Sequence, residues 1–108
     1  MKMEFEPIVV LVTCGSEEEA QKIAHALVEE HLAACVNLIF PIRSIYRWEG
    51  KVCDEKEGLL IIKTQKKRLP ELEKKIKSLH SYSVPEIIAL PVADGSSSYL
   101  NWLLEMTE

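Results

Sequence analysis

The side chains best able to hold a metal or move a proton are the thiols of Cys14, Cys35 and Cys53 and the imidazole of His80. Cys14 opens the stretch Cys14-Gly15-Ser16-Glu17 between a strand and a helix. A soft-metal clamp there would use a second thiol at CxxC spacing, and Glu17 stands in that place, so Cys14 reads as a structural thiol. Cys35 begins a strand and Cys53 sits near a ribbon tip, where a free cysteine behaves as a small hydrophobe. His80 ends a helix whose dipole favours the charged imidazole, and Tyr82, Pro85 and Glu86 follow it. Imidazole, phenol and carboxylate in one loop can line a polar pocket. The plainer alternative, which the spacing favours, is that His80 caps its helix and Glu86 pairs with a surface lysine. No GxSxG, HExxH, P-loop or GxGxxG pattern is present, and an enzyme is not expected.

Composition narrows the classes further. The 108 residues are 47% hydrophobic, enough for the core of one domain over 1–108. Thirteen Lys+Arg against seventeen Asp+Glu leave a net charge of −4, which argues against a nucleic-acid scaffold. No apolar run approaches the ~20 residues of a membrane span, and Met1–Val10 lacks a secretory pattern. An odd number of cysteines without CxxC points to reduced thiols, hence to a cytoplasmic protein.

The elements that must position these groups follow from periodicity. Ile8–Thr13 is a continuous β-branched run, expected as a central strand. Ser16-Glu17-Glu18-Glu19 has the form of a capping box, with Ser16 accepting from the Glu19 amide and Glu19 reaching back. Ala20, Ile23, Ala24, Leu27 and Val28 then mark a helix to about His31. Two strand-like arms flank Glu49-Gly50, and a register of Trp48 with Lys51 sets Tyr46 against Cys53, Arg43 against Lys56, Phe40 against Leu59 and Cys35 against Thr64. Arms of about 14 residues reach roughly 46 Å at ~3.3 Å per residue, beyond the ~35 Å diameter expected of a compact chain this long. Alternatively, Pro41 splits the first arm into two ordinary strands. A second helix is expected over 66–80, a fourth strand over 86–92 and a last helix after Asp94-Gly95-Ser96. The order β-α-β-β-α-β gives an α+β, ferredoxin-like fold with a long central hairpin and an extra C-terminal helix. RNA-recognition modules share that fold, but Leu59–Ile62 offers no aromatic for stacking a base. Acylphosphatases share it too, and the loop from Cys14 to Ser16 lacks their phosphate-binding arginine.

Five pieces of this chain, in order, resemble the CutA family of divalent-cation tolerance proteins. They are Leu32–Asn37, Tyr46–Lys51, Lys63-Thr64, His80–Glu86 and Tyr99–Leu103, and together they span nearly the whole sequence. The resemblance implies a homotrimer in which Tyr46, Trp48 and Val52 at the ribbon tip contact a neighbouring subunit. It also implies weak binding of a divalent ion, copper or zinc, with Cys35 and His80 as the matching positions and no organic cofactor. The chain departs from the family at Ser81, where proline is usual, and at Leu79, where some members carry a second histidine. A different class of function is a PII-like sensor with a ligand cleft at a subunit boundary, lined by Lys63, Tyr82, Glu86 and Trp102. A third is a non-catalytic structural scaffold.

Overall fold

The computed structural model describes residues 5–108. Its elements run β1 (Pro7–Cys14), α1 (Glu17–Glu29), β2 (Cys35–Trp48), β3 (Lys51–Gln65), a 3-10 turn (Lys66–Arg68), α2 (Leu69–Leu79), β4 (Ile87–Pro91) and α3 (Ser97–Met106). The four strands form one antiparallel sheet in the order β2-β3-β1-β4. This is the expected ferredoxin-like arrangement.

Strand alternation decides where the core sits. Ile8, Val10, Val12 and Cys14 of β1 and Leu60 and Ile62 of β3 are buried on one face, against Ala20, Ile23 and Leu27 of α1 and Leu72 and Ile76 of α2. On the opposite face Val9, Leu11, Leu59 and Ile61 are only half-covered, and Ile88 and Leu90 of the edge strand β4 are about half exposed, at 52% and 48%. The last helix covers one end of that second face. Gln65 donates to the Thr107 hydroxyl at 2.9 Å, and Arg68 donates to the Thr107 carbonyl at 2.7 Å, which fixes the end of α3 against β3.

The hairpin overshoots the body, giving extents of 50 × 25 × 22 Å. Glu49 and Gly50 turn it with φ of 49° and 80°, the left-handed pair that matches the twist of a tight hairpin. Near the tip the register is as expected, with Trp48 against Lys51, Tyr46 against Cys53 and Arg43 against Lys56. Toward the base it differs by one residue: Ile39, not Phe40, faces Leu59, and Cys35 faces Lys63 instead of Thr64. Phe40 and Pro41 together oppose Gly58, a β-bulge at the residue that has no N–H to give to the ladder. Gly58 makes room for it, since a Cβ there would lie 3.3 Å from the Phe40 ring. Pro41 therefore bends the arm without dividing it. The remaining boundaries are shorter than the periodicity suggested. The first helix ends at Glu29, and His31 takes a left-handed φ of 60°, while the second begins only after the 3-10 turn.

Candidate metal centre

Because β1 and β3 are antiparallel, α1 and α2 leave them in opposite directions and lie antiparallel across the sheet. The N-terminus of α1 and the C-terminus of α2 consequently share one end of the domain. That end holds the turn after Cys14, the first turn of α1 and His80. The Cys14 sulfur, a Glu19 carboxylate oxygen and a His80 ring nitrogen lie within 4.8 Å of one another, the sole such triad of metal-binding side chains among the described residues.

The details around His80 determine its state. The His80 side chain is fully buried. Nε2 donates to the Thr13 carbonyl at 2.7 Å, and Nδ1 accepts from the Tyr82 amide at 3.1 Å. This pairing places the ring proton on Nε2 and leaves a lone pair on Nδ1. Glu19 Oε2 stands 3.4 Å from that same Nδ1. The oxygen is buried and accepts from no described group. Two acceptors thus stand side by side inside the protein, an arrangement that a cation would relieve, and an ion on Nδ1 would take its lone pair from the Tyr82 amide. Two ligands held ~2.0–2.1 Å from a tetrahedral ion stand roughly 3.4 Å apart, so the spacing suits a shared metal. Cys14 completes a sulfur, nitrogen and oxygen set. Burial pushes its thiol up from 9.0 to about 12, and the nearby Glu19 and Glu57 carboxylates add to the shift. A metal would have to displace that proton.

The capping geometry explains how Glu19 comes to be there. Ser16 accepts from the Glu19 amide at 3.1 Å, as a helix N-cap should. The reciprocal half of the capping box is absent among the described contacts, because the Glu19 carboxylate turns inward to His80 instead of back to Ser16. The capping pattern alone does not reveal that the Glu19 carboxylate stands beside His80. The missing second thiol makes Cys14 look structural in sequence, whereas its companions in the fold come from a helix turn and from a residue 66 positions away. The antiparallel helix pair was the signal that joins them. His80 does sit at the C-cap of α2, its amide donating to the Ile76 carbonyl, but its side chain serves Thr13, Tyr82 and the triad.

The residues expected to act together separate into two groups. Cys35 and His80 are not brought together within one chain. Cys35 pairs with Lys63 and Cys14 with Gly58, so five residues of β3, roughly 17 Å at ~3.4 Å each, separate the two levels. The physical reason is α1, which carries the chain from one end of the sheet to the other before Cys35. Lys63 belongs with Cys35: its amine donates to Asn37 Oδ1, and the Cys35 thiol lies 4.0 Å from the same oxygen. Trp102 packs at a 41° tilt, 5.4 Å between ring centres, on Tyr99, whose phenol is raised by burial and by the nearby Cys35 thiol. Lys63 and Trp102 therefore do not share a cleft with Tyr82 and Glu86 in this chain. Tyr82 and Glu86 do line one cavity, whose other walls include Tyr46 and Trp48 of the hairpin.

A family model described as "CutA1 divalent ion tolerance protein" matches residues 8–106. The chain belongs to the CutA1 family. The divalent-cation tolerance protein CutA of Thermus thermophilus is 54% identical over 99 residues, which are 92% of this chain and 96% of that one. The CutA protein of mouse is 50% identical over 97 residues, 90% of this chain but 55% of the mouse protein. Two solved structures agree in shape. The Thermus thermophilus Cut A1 has a TM-score of 0.92 at 53% identity, covering 94% of this chain and 99% of that one. Rice CutA1 has a TM-score of 0.92 at 46% identity, covering 95% and 94%. Among the described residues no helix of this CutA1 chain is long and apolar enough to cross a membrane, and its three cysteines are free thiols.

Proposed function

We propose that this CutA1 chain contributes to divalent-cation tolerance by binding the ion itself, at Cys14, Glu19 and His80. The observation that carries this reading is the buried, unpartnered Glu19 oxygen 3.4 Å from His80 Nδ1, an acceptor now held by the Tyr82 amide, with a thiol beside both. Sulfur, imidazole and carboxylate together suit a borderline ion, zinc or copper(II), better than magnesium or calcium, which prefer oxygen alone. The Cys35 pairing implied by resemblance is replaced here by Cys14, which lies on the same end of the domain as His80. No organic cofactor and no catalysis enter this reading.

Self-association forms the second part of the proposal. Trp48 is 47% exposed and Val52 65%, on opposite faces of a ribbon that projects beyond its own core. Bare apolar groups on both faces, with unpaired edges on β2 and β4, favour packing against further copies, and a closed threefold ring leaves no edge to propagate. The metal assignment is tested by titrating metal-free protein with Zn²⁺ in a calorimeter. Cys14→Ser and Glu19→Gln should each weaken binding by ten-fold or more, and Cys35→Ser should leave it unchanged. The opposite order of effects would move the site to Cys35.

A further inference from the structure

Tyr82 meets the triad and its surroundings at four points. Its amide donates to His80 Nδ1 at 3.1 Å. Its ring lies against the His80 ring, 4.8 Å between centres at a 55° tilt. Its hydroxyl donates to Glu57 Oε2 at 2.8 Å. The same hydroxyl sits over Gly15, where an added Cβ would lie only 3.2 Å away, so the turn after Cys14 has room for the phenol and for no side chain of its own. Cys14 and the His80 side chain are both fully buried. All four contacts lie within one chain, so packing of the ribbon on a neighbouring subunit adds cover without replacing them.

An ion and the Tyr82 amide need the same electron pair. Nδ1 has one lone pair, and the amide holds it. The ring is not free to turn, because Nε2 carries the proton and donates to the Thr13 carbonyl of β1 at 2.7 Å. The amide must therefore leave before Nδ1 can ligate. Moving that amide moves the ring and hydroxyl of the same residue, and the bond to Glu57 resists the movement. Its acceptor is anchored, since Glu57 belongs to β3 and is only 5% exposed. Burial and then the bond to Glu57 raise the phenol, which keeps the hydroxyl a donor. A hydrogen bond to a carboxylate is stronger than one between neutral groups.

We propose that Tyr82 is an autoinhibitory latch on the triad: a divalent ion gains His80 Nδ1 only by displacing the Tyr82 amide, and that displacement frees the phenol from Glu57. The latch rests on the metal assignment to Cys14, Glu19 and His80. It makes Tyr82 a positioning residue, which sets how readily the ion is taken without ligating it. Because Glu57 lies in the hairpin, occupancy of the triad is also transmitted from the end of α2 to β3.

Full-length, metal-free protein carrying Cys35→Ser and Cys53→Ser keeps Cys14 as its one thiol, and its rate of labelling by methyl methanethiosulfonate reports how often the triad opens. Tyr82→Phe removes only the bond to Glu57, and in that background it should raise the rate about three-fold or more. Gly50→Ala, which strains the hairpin turn away from the triad, should leave the rate unchanged. Zn²⁺ titrated calorimetrically should bind Tyr82→Phe about three-fold or more tighter than the unsubstituted protein. In the unsubstituted protein zinc should speed hydrogen exchange of the Tyr82 amide, a local loosening that a purely structural tyrosine would not show. An unchanged labelling rate in Tyr82→Phe, an equal rise in Gly50→Ala, zinc affinity no higher in Tyr82→Phe, or a Tyr82 amide equally protected with and without zinc would overturn the latch. Each of these leaves the metal assignment to stand on the effect of Cys14→Ser. If Cys14→Ser leaves zinc affinity unchanged, the metal assignment fails and the latch falls with it.

Discussion

Cys14 is the residue on which sequence and structure differ most. In sequence it is a lone thiol without a CxxC partner, and in the fold it lies within 4.8 Å of a Glu19 carboxylate oxygen and a His80 ring nitrogen on a shared end. The same burial that hides it also makes its titration informative. The folded protein holds the thiol proton more tightly than the unfolded chain does, since the thiol moves up from 9.0 to about 12. Its contribution to stability is fully present below pH 9 and is lost as pH rises from there towards 12. Metal-free protein should therefore lose stability in that window, and Cys14→Ala should flatten the loss. Urea midpoints measured on both proteins below and above pH 9 check this, and parallel curves would refute it. His80 was legible as a functional candidate from its place after a helix and before Tyr82 and Glu86. Its partners were not, because neither strand nor helix periodicity encodes which loops meet at one end of a sheet.

At the scale of elements, the hairpin was the most legible part of the chain. Alternation and Gly50 gave the turn and the register near the tip, where Trp48 faces Lys51. The one-residue slip at the base came from Pro41, whose missing N–H produces a bulge that a simple count of residues from the turn does not include. The slip matters for function, since it moves Cys35 opposite Lys63 and brings both to Asn37. The turn itself is conformationally demanding. Gly50 has φ of 80° with open space where a Cβ would go, so Gly50→Ala meets no clash and is penalised only by backbone conformation. A cost of about 1 kcal/mol is expected, read as a lowered denaturation midpoint with unchanged metal affinity. A neutral substitution would mean that the turn readily re-forms with another geometry.

For the whole molecule, length against girth is the governing fact. A body 22–25 Å across cannot cover a hairpin that carries the long axis to 50 Å. Ile45 and Val52, each 65% exposed, lie on one ribbon face, and Tyr46 and Trp48 lie on the other. Replacing Ile45 and Val52 together by serine should shift a self-associated protein towards monomer in sedimentation experiments, while serine at the exposed Val28 on α1 should not. An unaltered distribution in the double variant would show that the ribbon is not the contact. The proposed site also depends on the molecule as a whole, because the segment from His80 to Glu86 closes the triad on one side and reaches the hairpin through Tyr82 and Glu57 on the other. The most direct test of the central claim is anomalous diffraction at the zinc edge from crystals of the protein grown with zinc. A peak bounded by Cys14 Sγ, a Glu19 carboxylate oxygen and His80 Nδ1 is the predicted result, and a peak at Cys35 with none beside His80 would contradict it.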